Sequence, residues 1–207
     1  MPKHAFKFPP EVVQAVKQHV RNAVEAVAPN RYRQEANYTA ALVNRLEGVA
    51  YEGEHGSVVF RSTVFDDRGP HSAESRLGAD HAITATITDG RMTVRKAILV
   101  QAKLGLLDEL DGAERAFLES QIAKMKHLVD APKVMEIPEY AGRRYPAIVS
   151  GNQVLAGAPY LSVSLPDYFV SRVTTTLDGC TDPEVVEIVQ DSALPRLDVT
   201  AKLNRNA

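Results

Sequence analysis

Asp80 opens one predicted β-segment, Gln101 and Lys103 close the next as a Gln-x-Lys, and Glu35 lies in a predicted helix upstream. An aspartate and an amide oxygen are hard ligands suited to Mg²⁺ or Mn²⁺. Glu35 offers a second carboxylate. Lys103 stands one step beyond, placed to steady an attacking water or the charge growing on a phosphate. Hydrolysis of a phosphodiester requires such parts: a metal to activate water and neutralise phosphate oxygens, and a cation for the pentavalent transition state.

The elements around these residues must bring them together. Asp89-Gly90 is a strong hairpin-turn signal. With Thr88 and Arg91 flanking it, Asp80 falls opposite Leu99, and Asp80, Leu99, Gln101 and Lys103 share one face. Asp80 and Gln101 are then diagonal neighbours, about 7–8 Å apart, a gap a divalent ion spans. A four-residue loop preserves this parity, whereas a three-residue loop with a bulge breaks it. The second strand is apolar on both faces, with Ala97 and Leu99 on one side and Val94, Ile98, Val100 and Leu104 on the other. That pattern belongs to a central strand, where a lysine is costly without a task.

Upstream, Val12, Val16, Val20 and Val24 mark an amphipathic helix after Pro9-Pro10, and Tyr38, Leu42 and Leu46 mark a second that ends near Gly48. Glu35 falls on the second stripe. Residues 57–69 alternate as a strand, followed by the polar loop HSAESRLG. Downstream, residues 108–129 read as a long helix with Leu107, Leu110, Phe117, Ile122, Met125 and Val129 inward. Short strands follow at 134–137 and 146–150, then an amphipathic piece, LPDYFVSRVTTTL, and a polar end. This order predicts an α/β fold with a mixed central sheet flanked by helices. Residues 1–155 form the main domain, and 156–207 an extension packed on it.

Each site residue also has a plainer role open to it. Asp80 suits a strand-entry turn, Gln101 and Lys103 the wet side of an edge strand, and Glu35 a helix N-terminus. Glu74 and Glu54 are further carboxylates of lesser weight. The chain of 207 residues carries a formal charge of −2, so nucleic-acid binding would need a local basic patch. Arg91, Arg95, Lys96, Lys124, Lys126, Arg143 and Arg144 are its candidates. No aromatic platform for stacking single strands is evident. The histidines show no zinc spacing, Cys180 has no evident base, and neither a Gly-x-Ser-x-Gly elbow nor a Walker loop is present. An ATP-driven step would therefore come from another protein. With one cysteine, no signal-like N-terminus and no long apolar run, the expected setting is the cytoplasm, away from membranes.

An Asp entering one strand, an (Asp/Glu)-x-Lys near the end of the next and an upstream helix glutamate resemble the PD-(D/E)xK nuclease superfamily. The resemblance runs from Glu35 in QEANYTAAL, through Asp80 in GAD, to Gln101 and Lys103 in VQAKL. The GAD…QAK pairing, with its upstream E-x-x-x-T helix, is similar to the Mrr-like and anti-phage-defence branch. It departs from the pattern in reading AD for PD and Gln101 for the acid, which removes a negative charge that Glu35 or Glu74 must replace.

The resemblance implies a restriction-endonuclease-like core and a Mg²⁺- or Mn²⁺-dependent endodeoxyribonuclease of a bacterial defence system. Asp80, Gln101, the Ala102 carbonyl and Glu35 would be metal ligands, and Lys103 the catalytic cation. DNA is the implied substrate, with a homo-oligomer or a partner such as a motor ATPase supplying targeting. The competing expectations are a catalytically inactive subunit of the same fold that binds nucleic acid or serves structurally, and an adaptor that binds another protein.

Overall fold

The computed structural model describes residues 6–64, 72–138 and 145–204. It is mixed α/β. Eight strands form one sheet: β1 (Gly48–Gly53), β2 (Gly56–Thr63), β3 (His81–Thr88), β4 (Thr93–Leu104), β5 (Lys133–Ile137), β6 (Ala147–Ser150), β7 (Val163–Ser164) and β8 (Arg196–Leu203). Their spatial order is β1-β2-β8-β3-β4-β5-β6-β7. The β3–β8 and β4–β5 pairs are parallel and the others antiparallel.

Helices cover both faces. On one lie α1 (Pro10–Ala26), α2 (Glu35–Leu46) and α6 (Leu165–Tyr168), the last continuing into a π-helical turn over Phe169–Val173. Their apolar sides, including Val12, Val16, Val20, Tyr38, Leu42 and Phe169, bury against Ile83, Ile98, Val100 and Val199. On the other lie α3 (Ala73–Leu77), α4 (Gly112–Met125), α5 (Gly151–Leu155) and α7 (Pro183–Asp191). There Leu118, Ile122, Met125, Val186 and Val189 pack on Ala82, Ala97, Leu99 and Val134. The two-sided apolar pattern of β4 thus reflects a strand covered on both faces. Among the described residues no helix is long and apolar enough to cross a membrane.

Several elements differ from the sequence expectation: β1, α5 and α7 had no counterpart in it, and three further differences bear on the packing around the hairpin. The long helix is shorter, Gly112–Met125, because a capping box starts it late. The Asp111 carboxylate accepts from the Ala113 and Glu114 N–H groups, and Glu114 accepts from Asp111 N–H. Its inward side runs through Leu118, not Phe117, which is 60% exposed. The loop HSAESRLG contains α3, whose N-terminus is capped by the Ser72 hydroxyl accepting from Ser75 N–H.

The third difference is β8. Its alternating Leu197, Val199 and Ala201 are buried, and it fills the space between β2 and β3. It holds β3, and hence the start of β3, in place from the side away from β4. Leu197→Ala removes a buried side chain from this strand and is expected to lower the unfolding free energy by about 2–5 kcal/mol. Urea denaturation followed by circular dichroism measures this, and an unchanged midpoint would contradict the interior placement of β8.

Candidate active site

The β3–β4 hairpin pairs His81 with Val100 and Thr88 with Thr93, leaving a four-residue loop, 89–92. Asp89 shapes that loop: its carboxylate accepts from Arg91 N–H at 3.1 Å and Met92 N–H at 3.0 Å, and Gly90 adopts φ +83°. The register is therefore displaced by two residues from the one expected for a two-residue turn. Asp80 lies level with Gln101 instead of Leu99, and its N–H donates to the Val100 carbonyl at 3.0 Å. A shift of two keeps every side chain on its face. The expected grouping of Asp80, Gln101 and Lys103 survives, with Asp80 and Gln101 closer than the diagonal placement allowed.

Asp80 is buried, and its Oδ2 accepts two hydrogen bonds, from Gln101 Nε2 at 2.5 Å and Ala102 N–H at 2.7 Å. The Ala102 carbonyl accepts from the same Gln101 amide nitrogen at 3.2 Å. Gln101 Oε1 is buried without a hydrogen-bond partner among the described residues. Glu35, the first residue of α2, reaches this end of β4. Its Oε1 lies 3.7 Å from Lys103 Nζ and 3.5 Å from Leu104 N–H. The helix N-terminus thus presents the carboxylate to the Lys103 ammonium, so the plain role and the site role coincide.

These groups line an open cleft of about 550 Å³ beside the ends of β3 and β4. Its walls include Asn37 from α2, Glu74 and Ser75 from α3, and Phe117, Gln121 and Lys124 from α4. Gly78 brings α3 and α4 together. It ends α3 at φ +74°, and a Cβ there would lie 2.3 Å from the Gln121 carbonyl oxygen, so only glycine permits the approach. Gln121 and Phe117 were not legible as site residues from their types alone. The signal that finds them is structural: Gln121 is 6% exposed with an unpartnered Oε1, and the Phe117 ring stands 5.6 Å from Lys103 Nζ.

Of the other candidates, Glu74 and Lys124 join the cleft and the rest of those described do not. Glu54 lies in the β1–β2 turn, where its carbonyl accepts from the Asn204 side chain. Lys96 is no surface contact. It is fully buried, and its ammonium donates to the carbonyls of Arg172, Thr175 and Asp178. Arg95 donates to Gln190, while Arg91 and Lys126 are exposed away from the cleft lining. Lys124 lines the cleft and donates to the Ser75 carbonyl at 3.0 Å. Arg143 and Arg144 lie outside the described residues.

The cleft sets three carboxyl groups, Asp80, Glu35 and Glu74, beside two ammonium groups, Lys103 and Lys124. Burial pushes the Asp80 carboxyl up to about 8, with Glu74 and Glu35 adding repulsion, against the Ala102 N–H and Lys103. Among the described residues no group of three or more His, Cys, Asp or Glu side chains is close enough to hold a metal ion. The donor set is accordingly mixed: the carboxyl groups of Asp80 and Glu35 and the amide of Gln101, with its unpartnered oxygen, belong to residues that line the cleft, whereas Ala102, whose carbonyl accepts from Gln101 Nε2, does not line it. Hard oxygens with an unfilled acceptor fit a divalent cation. In comparisons with known proteins, the chain matches no family model, no curated protein and no solved structure.

The Asp80 shift has a measurable consequence. An ordinary aspartate loses its proton near 3.8, whereas Asp80 keeps its proton in the fold up to about pH 8. Between those values the folded state binds the extra proton, so this contribution to stability is full below the lower value and lost as pH rises to the upper one. Urea midpoints in EDTA are expected to fall between pH 5 and pH 8 (about the window just given), and less so for Asp80→Asn. Identical slopes for the two proteins would contradict the assignment.

Proposed function

We propose that the chain is a metal-dependent nuclease that hydrolyses DNA phosphodiester bonds. The observation that carries this reading is the meeting of Asp80, Gln101, Lys103 and Glu35 at one cleft, from two strand ends and a helix start. The order of α2, the β3–β4 hairpin, α4 and the parallel strand β5 supports a restriction-endonuclease-like core around it. Defence against phage in a bacterial cytoplasm, and targeting by a second copy or a motor ATPase, follow from the resemblance of the QAK motif.

Asp80, Glu35, Gln101 Oε1 and the Ala102 carbonyl would hold the cation. When bound, a divalent ion lowers the pKa of water and offsets charge on the phosphate oxygens. The chain supplies position and charge. Ala102 N–H and the Gln101 amide fix the Asp80 carboxylate. Glu35 keeps the Lys103 ammonium in the cleft, where it faces the charge that develops as water oxygen bonds to phosphorus and the ester oxygen leaves. Beside Lys103 in the sheet, Glu136 is held by Leu107 N–H and the Tyr160 hydroxyl, so it braces β5.

A second reading, a nuclease-fold subunit that binds nucleic acid without cutting it, has one observation in its favour. The Gln101 Nε2 group already donates to Asp80 Oδ2 at 2.5 Å, satisfying with a neutral amide the oxygen that a cation would otherwise engage. Incubation with plasmid in Mg²⁺ or Mn²⁺ separates the two. The nuclease reading expects cleavage that Asp80→Ala abolishes, that Lys103→Ala slows about 100- to 1,000-fold, and that Gln101→Glu supports at lower metal concentration. Intact plasmid in every lane, with salt-sensitive DNA binding retained, would establish the binding subunit instead.

A further inference from the structure

The α4 wall of the cleft presents one face of three side chains at helical spacing: Phe117 at its mouth, Gln121 one turn further, then Lys124. Phe117 is a large apolar ring 60% open to water in a position where the same helix buries Leu118, Ile122 and Met125. Its place is not required by the core. Gln121 is the reverse, a polar side chain more than nine-tenths buried whose Oε1 finds no donor among the described residues. An exposed aromatic face beside a buried, unsatisfied acceptor matches the two needs of an unpaired nucleobase: a surface to stack on and a partner for an edge N–H.

Size and charge point the same way. The cleft holds about 550 Å³, room for a nucleotide or two. A duplex carries a phosphate charge every ~1.7 Å and needs a broad cationic bed. Here Glu35, Glu74 and Asp80 face Lys103 and Lys124, and Lys96, one of the expected basic patch, is buried. We infer that the cleft takes an unpaired DNA strand, one base stacked on Phe117 with its edge N–H donated to Gln121 Oε1 and the adjoining phosphate directed to Lys103. The inference rests on the nucleic-acid reading of this site and specifies its substrate class. Phe117 is then a positioning and specificity residue, and Lys103, 5.6 Å from its ring centroid, ties the stacking surface to the reacting end of the cleft.

The chain has no tryptophan, so Phe117→Trp introduces a single indole at the stacking position. With the full chain in Ca²⁺, addition of an unlabelled single-stranded oligonucleotide is expected to quench that fluorescence, and a blunt-ended two-strand duplex of equal length to leave it unchanged. By anisotropy with a labelled strand, Phe117→Ala is expected to weaken single-strand binding about ten- to hundredfold, the worth of one stacked base. Phe117→Trp restores it. A strand of abasic residues should bind the parent protein as weakly as the normal strand binds Phe117→Ala, with no further loss when the two changes are combined.

Equal binding by the parent protein and Phe117→Ala, or quenching by duplex as strong as by single strand, overturns the inference. Cleavage assays with Asp80→Ala keep the two readings distinct. Asp80-dependent cleavage that is equal on duplex and indifferent to Phe117 leaves the nuclease standing and removes the stacking role. Phe117-dependent strand binding without cleavage in any metal upholds stacking and removes the nuclease.

Discussion

Everything at the cleft depends on how the Asp80 carboxylate is held. It enters the protein one residue before β3 begins, and two donors from β4 converge on one of its oxygens. The backbone N–H of Ala102 is the firmer of the two, because its position is set by a strand buried on both faces. A main-chain donor survives substitution of its own side chain by any residue but proline. Burial opposes charge on Asp80, and these donors favour it. The site is therefore poised between a neutral acid and a carboxylate, and a positive charge in the cleft would decide the balance.

The two lysines of β4 show how placement sets the role of one residue type. Lys96 is enclosed near the hairpin end, and its three N–H donors meet three main-chain carbonyls at the end of the turn that follows α6. Burial pulls its pKa down to about 7, opposed by Asp178, whose carboxylate also pairs with Lys133 at 2.9 Å. Three acceptors match an ammonium better than an amine, so the charged form is the one the surroundings are built for. Lys103, near the other end of the strand, stands 3.7 Å from the Glu35 carboxylate and 5.6 Å from the Phe117 ring, with Asp80 close enough to feel its charge. The first lysine is fastened, and the second remains free to answer a ligand.

Much of this arrangement was legible from periodicity. The valine stripe of α1, the Tyr38-Leu42-Leu46 stripe of α2 and the middle of the two-sided apolar β4, Ala97 to Val100, bury as their spacing implies. The face shared by Asp80, Gln101 and Lys103 followed from strand parity together with a hairpin loop of even length. What sequence could not settle was the loop type, because Asp89-Gly90 serves a two-residue turn and also the four-residue loop that the Asp89 side chain closes. α3 escaped notice because five residues are too few to show a period, and α4 misled because its apolar residues do not gather on one side. Phe117 read as core from its place in the helical pattern, while its neighbour Leu118 took that place. β8 did alternate, yet its polar outward residues, Arg196, Asp198 and Lys202, made it resemble a solvated tail.

The late arrival of β8 has a consequence for how the molecule comes to exist. Thr84 in β3 and Asp198 in β8 are joined by a hydrogen bond across 114 residues of chain. Until the ribosome has released the later partner, β2 and β3 each carry an unsatisfied edge, open to pairing with other chains. Such distant closure is entropically slow. The strand that seats Asp80 is thus completed only by a segment made more than a hundred residues later, so a product terminated before β8 would lack a finished cleft.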